Sequence, residues 1–151
     1  MYPDQTERFT QSSSTGNKYI MVMYASNPNS ILSEPLKNKS ESEQLRATKE
    51  LQECIKERGL PLKVQILDNK CPQAIKNHSI EQEIMLELAP PFVHRKNAAE
   101  ATKKIIRDHF IYGLCSMCST YTMHLWCRLI PLATKTINLL ILERMNPHIL
   151  D

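Results

Sequence analysis

Glycine is scarce: only three occur in the 151 residues. None forms a Gly-rich run ahead of a helix, so neither a phosphate-cradling P-loop nor a dinucleotide-binding turn can be built. Cysteine is limited to five, an odd count in a chain of this length, which argues against a fully paired disulfide scaffold. A long apolar run is missing as well. The richest stretch, Met123 to Leu142, carries Arg128 and Lys135 and is interrupted by Pro131, so it reads as a buried helical region and not as a membrane span. The opening MYPDQTERF has charges and no apolar segment, which gives no expectation of a signal peptide. Ser12 to Thr15 has no His–Asp companion, so serine catalysis is not expected. Charge of one sign is also weakly in excess. A net charge of +3 is too small to require a nucleic-acid partner by itself, and the position of the basic residues matters more than their sum. The expectation is an intracellular chain with no membrane partner.

What remains is ordinary globular material. A hydrophobic share of 42% and a charged share of 23% suit a chain that buries a core, and the length suits one domain spanning 1–151. Tyr2 to Phe9 reads as a first extended segment. Gln11 to Gly16 is polar and turn-like, with Gly16-Asn17 expected to supply the φ > 0 positions. Lys18 to Tyr24 is almost continuously apolar, as a strand buried on both faces should be. Asn27-Pro28-Asn29-Ser30 is a turn signal, and Ile31 to Leu36 is the return strand of a hairpin.

Ser40 with Glu43 three residues later predicts a capping box at a helix start. Leu45, Thr48, Leu51 and Ile55 follow at helical spacing, and Gly59 with Pro61 marks the stop. Leu62 to Leu67 alternates as a strand and ends at Asp68, a strand–helix–strand order that predicts a crossover unit. A short helix is expected over Cys71 to Ser79, and a weaker strand over Glu83 to Leu88, before Ala89-Pro90-Pro91. A helix over Asn97 to Tyr112 is predicted with Ala98, Ala101, Ile105 and His109 inward. Another helical region runs from Tyr121 to Arg144, bent or broken near Pro131. The sum is an α/β fold, a mixed β-sheet flanked by α-helices.

Three acids stand out. Asp68 directly follows a core strand, the end of a strand that faces the ligand crevice in open α/β sheets. Asp4 lies in the first extended segment, and Glu100 lies in the first turns of a long helix. Together they form a candidate oxygen-ligand set for a hard cation such as Mg²⁺. Lys103, Lys104 and Arg107 follow Glu100 at i+3, i+4 and i+7 on one helix face, with Arg95 and Lys96 just before it. An acid set in a cationic ridge suits phosphodiester chemistry, the acid holding metal and the ridge holding backbone phosphates. The same charge spacing also decorates solvated helices that do nothing of the kind.

The ordered segments Asp4-Gln-Thr-Glu-Arg-Phe9, Gly16 to Val22, Leu67-Asp68-Asn69 and Pro90-Pro91 through Asn97-Ala-Ala-Glu100 resemble the acid-bearing segments of copia-like retrotransposon integrases. His124-Leu-Trp126 to Pro131 and Asn138-Leu-Leu140 fit the helices that follow. The resemblance runs along nearly the whole chain. It implies an RNase H-like catalytic core that binds DNA and Mg²⁺ or Mn²⁺, cleaves a phosphodiester and transfers strands, and works in the nucleus. Asp4, Asp68 and Glu100 would be its catalytic metal ligands. Arg95, Lys96, Lys103, Lys104 and Arg107 would face DNA, with His94 as a further backbone contact, and a second copy of the chain is a candidate partner. Glu7, Ala25, Asn27, Lys70 and Ala101 depart from the family pattern close to the proposed site. A degenerate or truncated copy is therefore expected, and a nucleic-acid-binding module without catalysis on the same fold is the alternative.

Cys115, Cys118, His124 and Cys127 form a zinc-knuckle-like set of four, although no glycine supports a tight ligand loop. Small thiols without metal are the competing expectation. Trp126, Leu125, Leu129 and Leu132 read as core or as a dimer face. His78 and His148 have no partner that the sequence identifies.

Overall fold

The computed structural model describes residues 2–25, 29–60, 62–68, 71–88 and 94–145, with the side chains of 2, 94–100 and 142–145 outside the description. The first strand, β1 (Tyr2–Gln5), is shorter than the extended segment expected, and β2 (Tyr19–Ala25) and β3 (Ser30–Leu36) follow it. The three pair antiparallel in that order, with Asp4 opposite Val22 and Val22 opposite Ser33. Helix α1 (Glu41–Glu57) leads to β4 (Val64–Leu67), and α2 (Gln73–Glu81) leads to β5 (Met85–Leu88). Strands β4 and β5 pair parallel. The crossover predicted around α1 is thus hydrogen-bonded around α2 instead, and β1 lies alongside β4 to bring the two ladders together. Helix α3 (His94–Cys115), a 3₁₀ helix (Met123–Leu129) and α4 (Ile130–Met145) complete the described chain. No described helix is long and apolar enough to cross a membrane.

Period-2 alternation in β2 explains why its run is apolar throughout. Ile20 and Val22 face Ile106, Phe110, Leu114, Trp126, Ile130 and Ile137 of the later helices. Met21 and Met23 face the other way, onto Leu32, Leu36, Ala47, Leu51 and Ile55. The antiparallel sheet is therefore covered on both faces, by α3 and α4 on one and by α1 on the other.

The ends of α1 follow their residues closely. Ser40 Oγ accepts from the Glu43 N–H at 3.4 Å, which is half of a capping box. The reciprocal half is absent. Glu43 accepts from the Lys37 N–H at 3.0 Å, while the Ser40 N–H donates to Asn38 Oδ1 at 2.8 Å. At the other end Gly59 takes φ 69°. The Gly59 N–H reaches Lys56 O at 2.9 Å and the Leu60 N–H reaches Ile55 O at 3.2 Å, the double closure of a Schellman motif. In the first turn only Gly16 takes a positive φ, 82°. Asn17, expected to share that role, is buried, and its N–H donates to Ser13 Oγ at 2.9 Å.

Helix α3 turns a different stripe inward from the one predicted. Thr102, Ile106, Phe110 and Leu114 are buried, whereas Ala101 is exposed and Ile105 is 50% exposed. The adjacent Ile105 and Ile106 fit two helical stripes equally well. The choice falls to the aromatic cluster across the core, where Phe9 stacks on Trp126 at 4.5 Å and Phe110 meets both rings edge-on. Trp126 is core as expected, its Nε1 donating to Gln11 O at 3.0 Å, but Leu132 points outward. The helical region expected to bend or break near Pro131 divides there, the 3₁₀ helix ending at Leu129 and α4 starting at Ile130, and Pro131 itself stays helical. It sits in the first turn of α4, where a missing N–H leaves no intrahelical bond unmade. Asn138 then holds α4 on β3, accepting from the Ile31 N–H and donating to Ile31 O, both at 2.8 Å.

Candidate active site

A cleft of about 420 Å³ opens where β1 runs beside β4, with Asp4, Asp68, Lys39, Gln44, Thr48 and Cys71 among its lining residues. Strand β1 alternates across the sheet, with Pro3 and Gln5 on the side of Met21 and α1 and Asp4 on the side of Val22 and α3, and Asp68 is the first residue past β4. Two of the acids named from sequence thus line one cavity, from the neighbouring strands β1 and β4.

Both oxygens of Asp4 are engaged. Oδ1 accepts from the Gln5 N–H at 2.7 Å, and Oδ2 takes the Lys103 ammonium at 2.8 Å. Lys103 and Asp4 keep about a third of their side-chain surface open, at 33% and 34%, so the pair is partly screened by solvent. The contact also brings α3 against β1. Glu100 lies one helical turn before Lys103 on this helix, and its side chain falls outside the described residues, as do those of Arg95, Lys96 and His94. Lys104 is exposed on α3, and Arg107 lies against Asp108 at 3.2 Å. Of the five cations expected to face DNA, Lys103 is therefore paired with Asp4, and Lys104 and Arg107 lie further along the helix.

Among the described residues no group of three or more His, Cys, Asp or Glu side chains is gathered closely enough to hold a metal. Asp4 and Asp68 carry the carboxylate oxygens that a hard cation takes, and one Asp4 oxygen already holds the Lys103 ammonium. Cys71 is a poor competitor for that role. Burial, opposed by Lys76 and joined by the Asp68 and Glu41 carboxylates, pushes its thiol up.

The zinc-like quartet disperses into local contacts. His124 Nδ1 lies 2.9 Å from Ser12 O, Cys127 Sγ lies 3.5 Å from Thr15 Oγ1, and Cys118 Sγ accepts from Thr120 Oγ1 at 3.2 Å. Sequence reasoning missed Lys39, Gln44 and Thr48 as cleft residues. Gln44 and Thr48 are one turn apart on α1, and the helical spacing points Thr48 toward the core. Lys39, whose Nζ sits 5.0 Å above the Tyr19 ring, carries no local pattern that would single it out.

The described fold is that of retroviral integrase catalytic cores. The chain matches a chain of the simian T-cell lymphotropic virus intasome, solved with PP2A regulatory subunit B56 gamma, at TM-score 0.68 and 19% identity over 91% of its length. It spans about half of that chain, 47%. The HTLV-2 integrase catalytic core in complex with magnesium matches at TM-score 0.66 and 18% identity, covering 91% of this chain and 82% of that one. The catalytic core of BIV integrase matches at TM-score 0.66 and 14% identity, covering 91% and 81%. No family model and no curated protein sequence matches the chain.

Proposed function

We propose that this chain is one domain, an integrase-type polynucleotidyl transferase core of copia-like retrotransposon origin that acts on DNA in the nucleus. The observation that carries the reading is the meeting of Asp4 and Asp68 in one cleft, on a fold shared with integrase cores. Asp4 and Asp68, with Glu100 from α3, would hold Mg²⁺ or Mn²⁺. When bound, such an ion supplies Lewis-acid stabilisation to the oxygens of a phosphodiester. The protein's own part is positional. The Gln5 N–H fixes one oxygen of Asp4, so the carboxylate turns the other toward α3, the helix that bears Glu100. The parallel β4–β5 pair fixes the strand end from which Asp68 projects. Lys104 and Arg107, with Arg95 and Lys96 at the start of the same helix, would hold backbone phosphates. The exposed apolar residues Ile105, Tyr112, Leu132 and Leu139 on α3 and α4 support association with a second copy.

The test is a strand-transfer and nicking assay on duplex DNA with Mg²⁺ or Mn²⁺, comparing the chain with its Asp68→Ala and Asp4→Asn variants. Metal-dependent cleavage that both substitutions abolish is the expected result. Equal product from all three proteins would overturn the enzyme reading.

One observation favours a second reading, a DNA-binding module without catalysis: the Lys103 ammonium already neutralises Asp4. Salt-dependent DNA binding with no metal-dependent cleavage would decide for it.

A further inference from the structure

We infer that Lys103 sets the metal affinity of the cleft by acting as a built-in counter-cation to Asp4, so that a divalent ion must displace it to bind. The inference rests on the metal-site reading above. It concerns a residue whose neighbours on α3 suggested a contact to DNA, and whose observed contact is to an acid.

Each oxygen of Asp4 already holds a donor. Its Oδ1 is already the acceptor for the Gln5 N–H at 2.7 Å. Its Oδ2, the oxygen turned toward α3, holds the Lys103 ammonium at 2.8 Å. A hard divalent ion needs a carboxylate oxygen at about 2.1 Å, so it would compete with Nζ for the same oxygen. An ammonium retained beside the ion would repel it across a few ångströms.

Charge bookkeeping points the same way. Of the two described acids lining the cleft, Asp4 is neutralised by Lys103, and Lys39 adds a further positive group to the lining. Affinity for hard cations rises with the number of ligand charges available. Lys103 also comes from α3 whereas Asp4 lies on β1. Displacing the ammonium therefore loosens a tie between the helix that bears Glu100 and the first strand, which couples metal entry to the seating of that helix. The lysine, once displaced, would be left at the cleft mouth, beside the same ridge as Lys104.

Calorimetric titration of the full chain with MnCl₂ tests this, using the wild type, Lys103→Gln, Lys103→Arg, Asp4→Asn and Asp68→Asn. Lys103→Gln removes the charge but keeps a long polar side chain, and it should bind Mn²⁺ about tenfold more tightly than wild type. Lys103→Arg keeps the charge and should stay near wild type. Asp4→Asn and Asp68→Asn should both weaken binding. A thermal melt of each protein, with and without MnCl₂, supplies a second readout. The rise in melting temperature on adding metal should be larger for Lys103→Gln than for wild type, although its metal-free form is no more stable. Unchanged or weaker Mn²⁺ affinity in Lys103→Gln, with binding still lost in Asp4→Asn and Asp68→Asn, would overturn the inference and leave the proposed function standing. Absence of Mn²⁺ binding in every protein, Lys103→Gln included, would overturn both.

Discussion

Gln52 on α1 and Gln65 on β4 are bonded to each other in the interior, Nε2 of the first donating to Oε1 of the second at 2.8 Å. The same Oε1 accepts from Ser79 Oγ on α2 at 3.0 Å, so one carbonyl ties both flanking helices to β4, the strand just before Asp68. Both glutamines are essentially fully buried. Gln65→Ala should destabilise the chain by about 2–4 kcal/mol, because it strands two donors and leaves a cavity. Urea unfolding should show a lower midpoint with an unchanged slope. Replacing Gln52 and Gln65 together by leucine should cost less than the sum of the two single changes, since an apolar pair leaves fewer polar atoms unpaired.

Trp126, the chain's single tryptophan, is 2% exposed and stacked on Phe9. Its fluorescence should be blue-shifted in the native protein and move to the red in one step on unfolding. Trp126→Phe should cost about 1–2 kcal/mol through the lost bond to Gln11 O and the smaller ring. Trp126→Ala should cost about 3–5 kcal/mol, measured by the same urea titration.

Lys104 is exposed on the helix that carries Glu100. Lys104→Ala should weaken binding to duplexes of different sequence by a similar factor and lower the slope of log affinity against log salt by about one. A loss confined to one sequence would mean that this residue reads bases instead of holding the backbone.

Stability should fall on acidification partly through Glu43. Burial pushes this carboxyl up, but hydrogen bonds from Arg46 and from the Lys37 N–H, with the charges of Arg46 and Lys37, outweigh it and hold the group below its ordinary value. A carboxyl held low in the folded state contributes stability that is complete above its unfolded value and is lost as pH falls through the folded one. The melting-temperature gap between wild type and Glu43→Gln should therefore be full near neutral pH and should close below about pH 4.

Local patterns read true where local chemistry decides. The β2–β3 hairpin, the Ser40 start and the Gly59 stop of α1, and the position of Asp68 at a strand end were all legible, because each rests on residues within a few positions of one another. The inward stripe of α3 was not, because Ile105 and Ile106 compete for it and the winner is chosen by Phe9 and Trp126, which are distant in sequence. The convergence of Asp4 and Asp68 was one candidate that their positions on predicted strands allowed, and the family resemblance singled it out. Spacing alone singled out three acids from the 16 present without saying which share a cavity. The pairing of Lys103 with Asp4 had no sequence signal at all, since it arises only once α3 packs across β1. Glu43 shows the same limit on a smaller scale. Its spacing from Ser40 predicted a reciprocal cap, yet Arg46 and the Lys37 amide offer better partners.

The grip of Asn138 on Ile31 has a consequence for how molecules of this chain meet one another. Strand β3 is the outer member of its ladder, and an outer strand normally offers its amides and carbonyls to any extended segment that drifts alongside. At Ile31 those two groups are already taken by a side-chain amide from α4. A foreign strand has to begin pairing elsewhere or dislodge the helix first, so one asparagine works as a stopper against sheet-to-sheet polymerisation.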